Sequence, residues 1–392
     1  MLISWVMLLV FVTGLCTFRL DGAGMIDSFV AARLLVFLCF FVGILSALLP
    51  RRSLFAGHSP LRSEELRLKV LAVRVGLVSL LLFPMLMACL FSSWPTGVFN
   101  FEYLLILPFL LLLAPYYVGW VEKRMPQGED GYFRFGLALT RRRPWCWSEH
   151  RELVFAWGVK LFFIPLMYVW LIAAVEEMLS FSWVLHPAKI VAGLFTFGLC
   201  VDLLIATSGY FFASRLLGND IRSTDKTWLG WLSCIMCYPP LLSILHMIKQ
   251  QRDDMVWTDW LQPDSPLYWV WAILITLSWM IYWLASISFG LKFSNLSWRG
   301  LVDDGPYRYT KHPGYLSKNV YWWLHTVPFF GVLSSFDLVR NLAGLAFVSF
   351  VYYLRAKTEE RHLMIFPEYA AYALRIERHG VFARLGRIAG LR

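Results

Sequence analysis

Apolar residues in this chain run unbroken for about the length of a bilayer crossing and then stop at short polar or basic clusters. A crossing helix needs about 20 mostly apolar residues. Runs of that kind fall at about 2–18, 28–49, 68–91, 101–119, 153–175, 187–212, 227–248, 267–289, 315–334 and 338–355. The pattern predicts an all-α, polytopic integral membrane protein of about ten transmembrane helices. The first run has no basic segment before it, so it reads as a span and not as a cleaved leader; Gly22-Ala23-Gly24 keeps the cleaved alternative open. Tyr238-Pro239-Pro240 interrupts the seventh run. Prolines remove backbone donors, which a buried helix tolerates where the freed carbonyls face protein or a cavity, so this break reads as a hinge, a tunnel wall or a packing kink. Only Phe336-Asp337 separates the last two runs, which predicts a tight helical hairpin. Beyond Arg355 the chain continues as a helix, breaks at Phe366-Pro367, and resumes with Tyr369, Tyr372 and Leu374 beside Arg375 and Arg378. That segment is expected to be a C-terminal interfacial amphipathic helix.

Composition agrees with the pattern. The 392 residues are 58% hydrophobic and 16% charged, which excludes an ordinary soluble domain. The net charge of +10 resides in loops and forms no continuous stripe, which argues against nucleic-acid binding. Basic residues crowd alternate loops: Arg51, Arg52, Arg62, Arg67 and Lys69; Lys123 to Arg151, including Arg141-Arg142-Arg143; Arg215, Arg222 and Lys226; and Lys292 to Lys318. The intervening loops are poor in them, with Glu176 and Glu177 in one and Asp253, Asp254, Asp259 and Asp264 in another. The bias predicts that both termini are cytoplasmic. Of the ionisable residues inside spans, Arg74, Lys160 and Asp202 are expected at similar depth and to form one buried cluster, structural or lining a cavity. Arg33 is expected to snorkel outward and His246 to be interfacial. Cys234-x-x-Cys237 has metal-site spacing but no second ligand pair, so no metal is expected.

Two polar islands on the cytoplasmic side carry the chemistry. The first is Gly305-Pro306-Tyr307-Arg308-Tyr309-Thr310-Lys311-His312-Pro313-Gly314-Tyr315-Leu316. A residue before proline is pushed out of helical geometry, so His312 is expected extended and Pro313 to open a helix. The amide groups of that helix start suit an anion, and the tyrosine rings offer faces to a cation or a flat base. In the second island, Arg355-Ala356-Lys357-Thr358-Glu359-Glu360-Arg361, Arg355 and Glu359 share one helix face. Amide donors, aromatic faces and a carboxylate fit a zwitterionic, cationic cofactor. Glu359 and Glu360 would repel phosphates.

The order Gly-Pro-Tyr, Lys-His-Pro-Gly-Tyr, Arg-x-x-x-Glu-Glu and Phe366-Pro367-Glu368-Tyr369 resembles the isoprenylcysteine carboxyl methyltransferase family. This family belongs to a wider set of integral-membrane methyltransferases that use S-adenosylmethionine (SAM) and include phospholipid methyltransferases. The resemblance covers roughly residues 286 to 380. It implies SAM as cofactor, with Leu301, Val302, Tyr307, His312, Pro313, Gly314, Tyr315, Glu359 and Glu360 around it. It implies a lipophilic acceptor facing Arg355. The chain departs from the family pattern at Lys311, where an Arg is usual, at Ser317, where a small Gly is frequent, and at Arg299, where the prenyl-protein enzymes carry His.

A carboxylate acceptor would need no general base. For an amine or thiol acceptor, His325 and Tyr309 are the candidate proton acceptors. Residues 1–256 are read as an amino-terminal bundle and 257–392 as the methyltransferase-like core. The expected setting is a bacterial inner membrane, with the endoplasmic reticulum as the alternative. Three other activities remain open: methylation of a phospholipid, small thiol or amine; an NADPH-dependent, sterol-type membrane reductase; and a non-catalytic binding or transport protein.

Overall fold

A computed structural model describes residues 2–20, 27–49, 63–95, 98–125, 127–249 and 256–390. The amino-terminal part contains α1 (Leu2–Leu20), α2 (Ser28–Leu48), α3 (Ser63–Leu90), α4 (Val98–Arg124), α5 (Gly131–Leu139), α6 (Trp147–Ser180) and α7 (Pro187–Phe211). After it come α8 (Trp228–Ile235), α9 (Leu242–Lys249), α10 (Trp257–Trp260), α11 (Pro266–Phe289), α12 (Pro313–Thr326), α13 (Ser335–Leu363), α14 (Pro367–His379) and α15 (Val381–Ile388). Among the described residues, eight helices are long and apolar enough to cross a membrane. The chain is an all-α polytopic membrane protein. Gly22-Ala23-Gly24, Arg51, Arg52, Arg62, Asp253 and Asp254 lie outside the described residues.

Two of the ten expected spans take another form. The seventh is divided into α8 and α9 around Tyr238-Pro239-Pro240, because neither proline can donate to a helical ladder. Both short helices pack on α13, which is where irregular backbone is tolerated at depth. The ninth, α12, ends at Thr326, where Val327 turns left-handed (φ 44°) ahead of Pro328. Its 14 residues reach about 21 Å, short of a hydrocarbon core of about 30 Å. Ser334 then caps α13, accepting from the Asp337 amide at 3.2 Å. The 29 residues of α13 carry the second polar island as one unbroken helix.

The core lies where α6 and α7 pack on each other and on α1, α2 and α11. Phe163 stacks on Tyr210 at 5.0 Å between centroids. Lipid offers little hydrophobic drive between helices, so such close packing and interhelical polar contacts hold the bundle. Gly209 of α7 meets the segment after α11 so closely that a Cβ there would sit 2.5 Å from the Phe293 carbonyl.

The expected cluster of Arg74, Lys160 and Asp202 does not form, because each group is satisfied by its nearest neighbour. Arg74 donates to the Leu111 carbonyl at 3.1 Å, Lys160 lies over the Trp157 ring at 5.1 Å, and Asp202 accepts from Tyr282 and Ser286, both at 2.5 Å. Arg33 does not snorkel free; it pairs with Glu102 at 2.5 Å and Glu176 at 2.7 Å. The buried ion network forms elsewhere. Lys69 pairs with Glu122 at 2.8 Å and Arg215 with the same carboxylate at 2.5 Å, joining α3, α4 and the segment after α7.

Candidate active site

Four local devices build the first island. Gly305 has φ +57°, a conformation that favours glycine, and starts a 3-10 turn over Gly305–Arg308. The turn seats the Tyr307 ring 4.9 Å from Phe289 at the end of α11. His312 is non-helical (φ −131°, ψ 59°) and Pro313 opens α12, as the proline rule predicts. From above, α14 covers the turn: the Tyr372 hydroxyl donates to the Tyr307 carbonyl at 2.8 Å, and Lys311 pairs with Glu377 at 3.0 Å.

A two-residue ladder ties in the segment before the turn. Strands β1 (Ser223–Thr224) and β2 (Ser297–Trp298) pair antiparallel, with Ser223 opposite Trp298. Next to it, Arg299 is buried and donates to three carbonyls: Asn219 at 2.6 Å, Gly209 at 2.7 Å and Phe293 at 2.8 Å. Burial pushes its guanidinium down to about 10, still protonated at neutral pH. Arg299 thus stitches α7 to the polar island. Removing it strands three carbonyls at about 1–3 kcal/mol each. Arg299→Leu is therefore expected to lower the thermal midpoint by several degrees, checked by scanning fluorimetry in detergent; an unchanged midpoint would contradict this structural role.

Adjacent carboxylates on α13 divide the work. Glu360 faces the loop, where it meets His312 Nε2 at 3.0 Å, Lys311 Nζ at 3.0 Å and Lys357 at 3.2 Å. Burial draws the Lys311 ammonium down, but its hydrogen bonds to Glu360 and Glu377 outweigh this and hold it above its ordinary value. Glu360→Ala should free the loop. At least tenfold faster amide exchange across residues 305–315 is the expected outcome, while unchanged exchange would show that α14 alone holds the turn.

Glu359 faces inward and accepts from the Tyr315 hydroxyl at 2.7 Å. The His312 ring stacks on Tyr315 at 5.5 Å. One turn deeper, Arg355 is only 5% exposed. Its guanidinium lies 4.9 Å over the Tyr315 ring and 5.8 Å over Tyr238, and it donates to Asn295 Oδ1 at 3.1 Å. The Asn295 amide nitrogen is spent on the Tyr210 and Tyr238 hydroxyls at 2.8 and 3.1 Å, which turns its oxygen toward Arg355. Among the described residues no carboxylate lies within ion-pair distance of Arg355.

Arg355, Tyr315, Asn295 and Glu359 form a wall shared by two cavities. The larger, about 610 Å³, lies among α11, α12 and α13 and is lined also by Tyr307, His312, Gly314, Tyr282 and Lys318. The smaller, about 380 Å³, lies between α8 and α13 and is lined also by Asp225, Ser233 and Thr358.

The expected site residues divide accordingly. Tyr307, His312, Gly314, Tyr315, Arg355 and Glu359 come together at the larger cavity, with Pro313 buried at the helix start beside them. Glu360 backs the loop. Leu301 and Val302 do not line either cavity; the Leu301 carbonyl accepts from Lys292 at 3.1 Å and its side chain packs against the cluster of Trp298 and Tyr369. Tyr309 is 56% exposed, and its carbonyl accepts from the Val381 amide. His325 packs on Tyr321 about 18 Å along α12 from Pro313, away from both cavities. Sequence reasoning did not single out Asn295, Tyr282 or Lys318 as site residues. Tyr238 was marked only by the two prolines that follow it.

These features define a polytopic membrane protein with a polar, two-chambered cavity at one end of its carboxyl-terminal helices. Residues 267–365, which run from α11 through α13, match the sequence model of the isoprenylcysteine carboxyl methyltransferase (ICMT) family. No curated protein and no solved structure matches the chain. The family segment together with the eight apolar helices supports a membrane methyltransferase.

Proposed function

We propose that this chain moves a methyl group from SAM to a carboxylate carried by a lipophilic, membrane-borne acceptor of isoprenoid, prenylated or lipid-like character. The observation that carries this reading is Arg355, a buried cation with no carboxylate at ion-pair distance among the described residues, one helical turn from Glu359 in a shared wall. A buried charge is costly unless paired, and a bidentate carboxylate is the natural complement of a guanidinium.

The donor set fits SAM: Glu359 offers an anion to its ammonium or ribose, and Tyr307 offers a ring face to a sulfonium. When bound, SAM supplies an electrophilic methyl group. Tyr315 orients Glu359, Asn295 orients Arg355, and Arg355 holds the acceptor carboxylate in line. A carboxylate is already ionised, so no side chain needs to take a proton. This agrees with His325 and Tyr309 lying away from the cavities. Alignment in a dry site can then supply most of the rate. The basic loops predict that the cavity opens to the cytosol, where SAM is made, while the acceptor arrives through the lipid.

Three cations line the cavity, Lys311, which pairs with Glu360 and Glu377, together with Arg355 and Lys318, and they make NADPH the necessary competitor in a test. Equilibrium titration of the detergent-purified chain is expected to show SAM binding that NADPH does not displace. NADPH binding without SAM binding would favour a reductase, and binding of neither would favour a non-catalytic protein.

A further inference from the structure

The larger cavity contains a second cation that the reading above does not use. Lys318 lies on α12 about one turn beyond Tyr315 and lines the same cavity as Arg355. Its ammonium sits 4.1 Å over the Tyr282 ring, and among the described residues no carboxylate is within ion-pair distance. Asp202 lies behind that ring, but each of its oxygens already accepts a hydroxyl, one from Tyr282 and one from Ser286, both at 2.5 Å. Donation to a carboxylate enriches the Tyr282 ring face, which helps to hold the ammonium above it. Lys318 lines the cavity and makes no ion pair with Asp202 among the described residues.

Lys318 on α12 and Arg355 on α13 line the same cavity. Two like charges that line one cavity repel each other, and an oxyanion between them relieves both. We propose that Lys318 is the second cation of the acceptor's seat, so that the cavity admits anionic headgroups and rejects amines. The inference rests on the methyl-transfer reading for the identity of the bound group as an acceptor. It narrows that reading, since an amine such as a phospholipid amino headgroup would meet two cations.

The test uses the full chain in detergent, with tritiated oleate as the anionic probe, oleylamine as its cationic counterpart, and SAM titrated separately. Oleate is expected to bind, and oleylamine to displace it at least tenfold less well than unlabelled oleate. Lys318→Gln should weaken oleate binding at least tenfold with SAM affinity within about twofold of wild type, and Lys318→Arg should keep most of the oleate affinity. Asp202→Asn in the Lys318→Gln background should not restore it; restoration would assign Lys318 to charge balance with Asp202. Unchanged oleate affinity in Lys318→Gln, or equal displacement by oleylamine, would overturn the proposal. If the methyl-transfer reading itself fails, wild-type protein will not bind SAM while the discrimination between oleate and oleylamine persists.

Discussion

Arg355→Gln is expected to abolish detectable methyl transfer to lipophilic carboxylates while leaving SAM affinity within a few-fold of wild type. Truncating one member of a buried, hydrogen-bonded charge pair costs about 2–5 kcal/mol, or about 30-fold to several-thousand-fold. The split between acceptor and cofactor follows from the geometry. Arg355 is aimed by Asn295 and by the ring of Tyr315, while the groups assigned to SAM lie on the loop and at Glu359. Arg355→Lys should recover only part of the activity, because an ammonium cannot form the bidentate pair. Steady-state kinetics with labelled SAM separates the two constants. Equal losses in SAM and acceptor affinity would show that Arg355 supports the whole pocket and not the acceptor.

Glu359→Ala has the second large effect and the opposite selectivity. Hydrogen bonds to a charged partner contribute about 1.5–3 kcal/mol, so SAM affinity should fall about tenfold to more than a hundredfold. Glu359→Gln keeps an acceptor for the Tyr315 hydroxyl but loses the charge, and should lie between alanine and wild type. The neighbouring Glu360→Ala acts through loop order, so its signature is faster amide exchange together with weaker SAM binding. Normal SAM affinity in Glu359→Ala would remove Glu359 from the cofactor site.

Much of this architecture was legible in the sequence, because long apolar runs and proline rules are local signals. The helix start at Pro313 and the shared face of Arg355 and Glu359 follow from short-range geometry; His312 is non-helical but, with ψ 59°, not extended as expected. Depth in a span predicted neither which charges are buried nor their partners: of Arg74, Lys160 and Asp202 only Asp202 is buried, whereas Lys69 and Glu122 are buried as a pair. Arg74, Lys160 and Asp202 stand on three different helices with separate partners, and helix rotation is fixed only by packing. The same limit hid Asn295, whose neighbours Tyr210, Tyr238 and Arg355 are 57 to 85 positions away in the chain. It also hid the division of labour between Glu359 and Glu360. Consecutive residues on a helix point about 100° apart, yet only the position of the His312 loop decides which one faces the cavity. Tyr309 and His325 were chosen for chemistry alone, and the fold directs both away from the cavities.

The most direct test of methyl transfer to a carboxylate is the chemical nature of the product. Purified protein is incubated with methyl-labelled SAM and a panel of lipophilic carboxylates, such as N-acetyl-S-farnesylcysteine, farnesoate and oleate, and the lipid-soluble product is treated with mild alkali. Label that enters the lipid phase and is released by alkali as volatile methanol is the predicted result, since only an ester of the acceptor carboxylate behaves so. Label that enters the lipid phase but survives alkali would identify methylation at nitrogen or sulfur and contradict the role given to Arg355; no incorporation into any member of the panel, by protein shown to bind SAM, would contradict the proposed acceptor class.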